Sequence, residues 1–385
     1  MSQQSGHTPK ALKHCLNTSD VRKAAHKALP LAIREYIDGG GDDEKTLAEN
    51  TRTFDDVCLM PNFGTGIESA DLTTTILGQK SASPILLSPW GAHKVMHSDG
   101  EKGTAKAAAN TGCIYSMSNF ATTSMEDVAQ VSDSAKFFQL QPARDKGIMK
   151  HMLERAKTSG YKALIVTIDN PIHGNRERDV RTGFGIPPTF PLRSILSLMA
   201  HPKWVKGYMK SKPDFANFQH YFDQGKDQQW LFHNLVCPVT WETLTWIREN
   251  WQGPMAIKGI LSADNAKQAV AIGAEGVIVS NQGGRNFDAI PSTFSVLPDV
   301  VDAISGQAEI ILDGGLRRGT DVVKALAMGA TAVSTARPFV YGLSAAGSAG
   351  IEFVINMFKA EIERAMIVCG ATNINDINAS MLRHK

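Results

Sequence analysis

Two stretches concentrate side chains able to recognise an anion. Ser280-Asn281-Gln282-Gly283-Gly284-Arg285 and Asn170-Pro171-Ile172-His173-Gly174-Asn175-Arg176 each follow an apolar run and each end in an arginine. A planar guanidinium offers parallel N–H donors, so Arg176 and Arg285 together suit bidentate binding of a carboxylate. Surface ion pairing is the ordinary alternative, and Arg178 and Arg181 are assigned to it. A third stretch, Asp313-Gly314-Gly315-Leu316-Arg317-Arg318-Gly319, reads as a strand end, a glycine turn and a helix start. Free backbone N–H groups, the helix dipole and Arg317 would hold a phosphate there, with Asp313 placed for a ligand hydroxyl. The next apolar run ends at Ala336-Arg337-Pro338, whose arginine adds a second cationic arm. Lys258, in Ala-Ile-Lys-Gly, is expected to point the same way, and a buried lysine requires an anion, a reduced cofactor or a neighbouring acid.

These groups need a scaffold that brings them to one end. From about residue 83, short runs rich in Ile, Val and Leu alternate with segments of helical spacing: SPILLS, GCIYSMS, AKFFQLQ, ALIVTID, PMAIKG, GVIVSN, EIILDGG and AVSTA. Eight strand–helix repeats predict an α/β fold, a closed (β/α)8 barrel of the TIM type with its site at the carboxyl ends of the strands. Pro89, Trp90, Gly91, Ser118, Gln139, Gln141, Thr167 and Asp169 fall at those ends as well. The barrel is expected over about 83–345 within a single domain, 1–385. The interval between Thr167 and Lys258 is far longer than the others and predicts an insertion after the fourth strand, about 184–235. Within it, 190–215 mixes bulky apolar residues with Arg193, Lys203, Lys206, Lys210 and Lys212. That mixture fits a lid, a subunit contact or a peripheral membrane-surface helix, with a lid preferred. Ahead of the barrel, 19–37 reads as one amphipathic helix, and 19–62 is expected to cover the barrel's floor and flank.

A net charge of +2 gives no footprint for nucleic acid. The five cysteines are scattered and lack metal-ligand spacing, so no metal is expected. Neither a secretory leader nor a long uninterrupted apolar run is apparent, and a cytoplasmic location is expected.

The ordered series GGGDDEKTLAEN, PILLSPWG, SMSNFAT, FFQLQ, TIDNP, IKG, VSNQGGRNFD, LDGGLRRGTDVVKALAMGA and ARP resembles the FMN-dependent 2-hydroxy-acid oxidases and dehydrogenases, from about residue 20 to about 370. The resemblance implies that FMN is bound by Pro89, Trp90, Gly91, Ser118, Gln139, Thr167, Lys258 and Ser280, with its phosphate against Asp313, Gly314, Gly315, Arg317, Ala336 and Arg337. It implies that Lys258 stabilises the reduced cofactor, that Tyr36, Arg176 and Arg285 hold a substrate carboxylate, and that the protein is a homo-oligomer, by family precedent a tetramer.

Two departures from the family pattern bear on chemistry. Gln282 stands where the family has its active-site histidine, and Gln141 where it has a second tyrosine. An amide can orient a substrate but cannot act as a general base. Asp169 is retained, and His173 or Asp169 is expected to supply the missing base. The expected function is FMN-dependent oxidation at the α carbon of a small-molecule or carrier-linked carboxylate that is not a simple 2-hydroxy acid. The electron acceptor is not encoded in any motif. An FMN-dependent isomerase or monooxygenase and a non-catalytic flavin-binding protein are the alternatives.

Overall fold

The computed structural model describes residues 8–185 and 187–385. Eight parallel strands close on themselves: β1 (Ile85–Leu87), β2 (Ile114–Ser118), β3 (Lys136–Leu140), β4 (Ala163–Thr167), β5 (Met255–Ile260), β6 (Gly276–Val279), β7 (Glu309–Asp313) and β8 (Ala332–Thr335). The last closure pairs Val333 with Ile85 and Ser334 with Leu86. All eight runs read from the sequence are strands. Their near-continuous apolar character follows from burial on both faces, because helices cover the outside and side chains fill the inside. Leu86, Ile114, Phe137, Ala163, Ile165, Ala256, Ile278, Ile311 and Ala332 form the interior cluster. Their alternates, such as Leu164, Val166, Ile257 and Leu312, pack outward in the larger cluster shared with the helices.

Local signals set the outer helices. Gly100–Thr111 ends at Gly112 in the left-handed conformation, and Met125–Ala129 begins where the Ser124 side chain accepts from the Asp127 N–H. The eighth barrel helix, Arg337–Cys369, is long and apolar enough to span a membrane, yet it is kinked at Ala346 and Gly347 and mostly buried against the barrel. That placement identifies it as a core helix.

The amino-terminal cover differs from expectation in two ways. The single helix expected over 19–37 is two, Thr18–Ala28 and Leu31–Asp38, because Pro30 lacks the N–H and ends the first. The second helix carries Tyr36 to the barrel mouth, and the next, Lys45–Arg52, packs its Asn50 carbonyl where a Cβ on Gly315 would lie only 1.8 Å away. The segment therefore covers flank and mouth. The floor is closed instead by a hairpin, Thr74–Ile76 with Gln79–Ser81, whose Ile76 and Leu77 join the interior cluster.

The insertion after β4 forms helices Leu192–Met199, Pro202–Ser211, Gln219–Asp223 and Gln228–Leu235, then hands the chain to the barrel helix Trp241–Asn250. It is pinned over the mouth by Trp204 Nε1 donating to the Val95 carbonyl at 2.9 Å and by Ser197 Oγ accepting from the Leu31 N–H at 2.8 Å.

Candidate active site

The strand ends open into a cavity of about 1550 Å3. Every residue assigned from the sequence to cofactor contact borders it except Ser280. Ser280 is fully buried, and its Oγ bridges Lys258 Nζ and Asp313 Oδ2, both at 2.7 Å. Ser88 Oγ donates to the other Asp313 oxygen at 3.0 Å, so both carboxylate oxygens already accept from the protein. The role expected for Asp313, meeting a ligand hydroxyl, is correspondingly narrowed. Lys258 Nζ lies 3.1 Å from Asp313. Burial alone would pull the lysine down, but Asp313 and then Asp169 more than offset it and hold the ammonium above the ordinary lysine range.

The phosphate end is also built differently from the sequence expectation. The N–H groups of Arg317 and Arg318 donate to Asp321, and that of Gly319 donates to Glu361. Three N–H groups leading into helix Gly319–Ala327 are thus taken up by two carboxylates. Gly314, Gly315 and the Arg317 side chain remain at the cavity wall. Arg337 is partly committed too, because it donates to the carbonyls of Ile37, Gly39 and Gly283 at 3.0 Å each. Burial and then the charge of Arg285 pull it down to about 9.

At the opposite side, Arg176 and Arg285 flank Tyr36, with guanidinium carbons 5.8 and 4.7 Å from its ring centroid. Trp90 lies 5.0 Å from the Arg285 guanidinium and edge-on to Tyr36, which encloses the cation between two rings. One Arg285 nitrogen donates to the carbonyls of Tyr36 and Gly39 at the end of helix Leu31–Asp38, a favourable position for a cation. Its Nη2 is buried and finds no partner among the described residues. Burial, then Arg176, lowers its affinity for its proton. Arg176 Nε lies 3.4 Å from Asp179, which partly offsets its charge, while Arg285 keeps a free buried donor that an anion would satisfy. Arg178 instead pairs with Glu35 and Glu44, and Arg181 with Glu177, as assigned.

Gln282 borders the cavity in the left-handed region, φ 52°, ahead of two glycines in the same region. Asn286, four residues on, donates to the Gln282 side-chain oxygen, to the Asp169 carbonyl at 2.9 Å and to Asn170 Oδ1 at 3.1 Å. No sequence reading singled out Asn286; its amide at this spacing from Gln282 was the available signal. Gln141 is 2% exposed, and its Nε2 has no partner among the described residues.

The two candidate bases separate. The Asp169 carboxylate does not border the cavity; both its oxygens are buried without partners among the described residues, its Cβ faces Gly259, and burial pushes it up to about 6. It is therefore withdrawn as a direct base. His173 does border the cavity, 5.9 Å from the Phe232 ring, and burial with Arg176 lowers its pKa, so the neutral imidazole prevails at neutral pH.

The outer part of the cavity is aromatic. Phe120, Phe215 and Phe232 stand 5.7 to 5.8 Å apart, and Phe184, Trp204 and Tyr208 continue the wall. Most of these come from the insertion, spread over Phe184, Trp204, Tyr208, Phe215 and Phe232.

The buried Thr167 Oγ1, Gln141 Nε2 and Trp90 Nε1, all at the cavity wall, lack partners among the described residues, and each such group costs about 1–3 kcal/mol. With the cationic end at Arg317 and Arg337 and the charged Lys258 between, the residues fit a phosphorylated, hydrogen-bonding ring system such as FMN. Comparison with known proteins agrees. Residues 25–384 match the model of the FMN-dependent dehydrogenase family. An L-lactate dehydrogenase of Vibrio parahaemolyticus is 38% identical over 95% of this chain and 98% of the relative, and one of Pseudomonas syringae is 39% identical with the same coverage. The solved structure of the monotopic membrane protein (S)-mandelate dehydrogenase superposes with a TM-score of 0.90 at 31% identity, over 97% of this chain and all of that one. The chain belongs to the FMN-dependent dehydrogenase family, within the 2-hydroxy-acid oxidases and dehydrogenases, and is an FMN-dependent oxidoreductase.

Proposed function

We infer that this enzyme oxidises the α carbon of a carboxylate-bearing substrate bulkier than lactate or glycolate. The arginine pair around Tyr36 carries this reading: Arg176 and Arg285 bring two positive charges to one spot on the cavity wall, one of them with a buried donor left over. The outer part of the cavity, beyond the residues that would hold FMN, supports the second half, because its wall is aromatic. The L-lactate dehydrogenases and the mandelate dehydrogenase among its relatives set the reaction class, and the aromatic wall suits an aryl or other apolar substituent better than a methyl group.

When bound, FMN supplies the two-electron acceptor for the hydrogen leaving the α carbon. Arg176, Arg285 and Tyr36 fix the acid so that this carbon faces the strand ends. His173, neutral at pH 7 and at the cavity wall, takes the proton from the α substituent in place of the family's histidine. Lys258 keeps a fixed positive charge beneath the site, held by Asp313.

The insertion's outer surface supports docking on a membrane. Helix Leu192–Met199 turns Leu192, Leu196 and Met199 outward at 71, 56 and 73% exposure, one face of the helix, while Ser194 is buried. Met209 is 69% exposed on the next helix, beside the exposed Lys203, Lys206, Lys210 and Lys212. Apolar residues facing water with lysines around them suit the headgroup layer of an anionic bilayer.

The site reading is tested by difference spectra of the FMN-loaded protein titrated with phenylacetate. Arg285→Met and Arg176→Met are each expected to raise its Kd about 10- to 100-fold, the loss of a charge-assisted pair. Unchanged Kd values in both variants would overturn it.

A further inference from the structure

We propose that Asn286 is a positioning residue that fixes the Gln282 amide with its NH2 group, rather than its oxygen, facing the cavity, and so selects substrates whose α substituent is an oxygen over those bearing an ammonium. The orientation follows from a chain of obligatory roles. The Asp169 backbone carbonyl can only accept, so the Asn286 side-chain atom 2.9 Å from it is the nitrogen. That same nitrogen meets Asn170 Oδ1 at 3.1 Å and the near atom of Gln282, which must therefore be the Gln282 oxygen. The Gln282 nitrogen is the atom left for the cavity that the residue borders.

The consequence is a change in what this position offers. An imidazole can accept a proton, whereas the fixed NH2 can only donate. A carbonyl, a hydroxyl or an alkoxide presents a lone pair to it; an ammonium presents only protons. Arg285, with its unpaired Nη2, reinforces the bias, while Arg176 is partly offset by Asp179 and Lys258 by Asp313. Gln282 is held in the left-handed region by the turn that also contains Gly283 and Gly284, so its side chain has a fixed starting direction. The substrate left open above, an acid with some substituent at its α carbon, is narrowed to a 2-hydroxy acid with a bulky remainder, whose 2-oxo product presents the same oxygen. Proton removal stays with His173, and Gln282 anchors the oxygen from which that proton leaves.

This inference rests on the carboxylate reading of Arg176 and Arg285, and the experiment separates the two. Three ligands of the FMN-loaded enzyme share a phenyl ring and a carboxylate: benzoylformate with an α carbonyl, phenylglycine with an α ammonium, and phenylacetate with neither. The wild type should bind benzoylformate at least 10-fold tighter than phenylglycine. Asn286→Ala, which changes no charge but frees the amide to turn, should cut that ratio several-fold while leaving phenylacetate binding within 2-fold. Asn286→Asp can only accept from Gln282, turns the oxygen to the cavity, and should shrink the ratio further. Retained phenylacetate binding shows that each variant is folded and loaded. A wild-type ratio near 1, or a ratio unchanged in both variants, overturns the proposal. Failure of phenylacetate to bind the wild type removes the carboxylate reading and this inference with it.

Discussion

At the scale of single residues, Gln282 stands where the family has its histidine, and both Asp169 carboxylate oxygens are buried with no hydrogen-bond partner among the described residues. Its carboxyl titrates near 6 in the folded protein against 3.8 when exposed, mainly through burial. The folded state therefore holds the proton more tightly. Stability is greatest below about pH 4 with respect to this group and falls as pH rises through 6, by roughly 3 kcal/mol when the shift is converted at about 1.4 kcal/mol per unit. Asp169→Asn should raise the Tm of the FMN-loaded protein at pH 8 and leave it nearly unchanged at pH 4. Equal shifts at both values would show that the carboxylate is not paying this cost. The arginines teach a related point: Arg285 and Arg337 were legible as cations near the strand ends, yet their bonds to the carbonyls of residues 36, 37 and 39 depend on a helix hundreds of positions away in sequence. The acid Asp321, three residues past Arg318, was a local capping signal that could have shown the helix start to be occupied. Glu361, from the far side of the barrel helix, gave none.

At the scale of elements, the eight strands were legible because each is buried on both faces, which forces an unbroken apolar run bounded by glycine and polar residues. The break at Pro30 was missed, because the apolar spacing on either side of it masked the stop. Helix Leu192–Met199 is the instructive case. Its apolar residues have helical spacing, which ordinarily marks the face turned to the core, and here that face is exposed. Burial of Ser194, whose Oγ donates to the Thr182 carbonyl, settles the orientation, and only a tertiary contact could supply it. Replacing Leu192, Leu196 and Met199 together by Ser should weaken sedimentation with anionic phospholipid vesicles on the order of 100-fold, given about 1.5–3 kcal/mol for each fully buried apolar side chain. Phenylacetate binding to the same variant should be unaffected. Equal vesicle binding by variant and wild type would return the helix to the role of a plain lid.

At the scale of the whole molecule, the barrel holds FMN chemistry at one end while the insertion sets what reaches it. The frame was readable from sequence because it repeats; the vestibule was not, because Phe120, Phe215 and Phe232 come together from separate segments. On this reading α-carbon oxidation of a bulky acid proceeds here with Gln282 in the histidine's place. Anaerobic stopped-flow mixing of the FMN-loaded wild type, His173→Ala and Gln282→His with L-lactate and with (S)-mandelate tests it most directly, followed by bleaching of the flavin absorbance. The expected result is rapid bleaching of the wild type by mandelate and little by lactate, loss of about 100-fold or more in His173→Ala, the span of general-base catalysis, and gain of bleaching by lactate in Gln282→His. A wild type that lactate bleaches as fast as mandelate, or one that neither acid bleaches while Gln282→His responds to both, would contradict it.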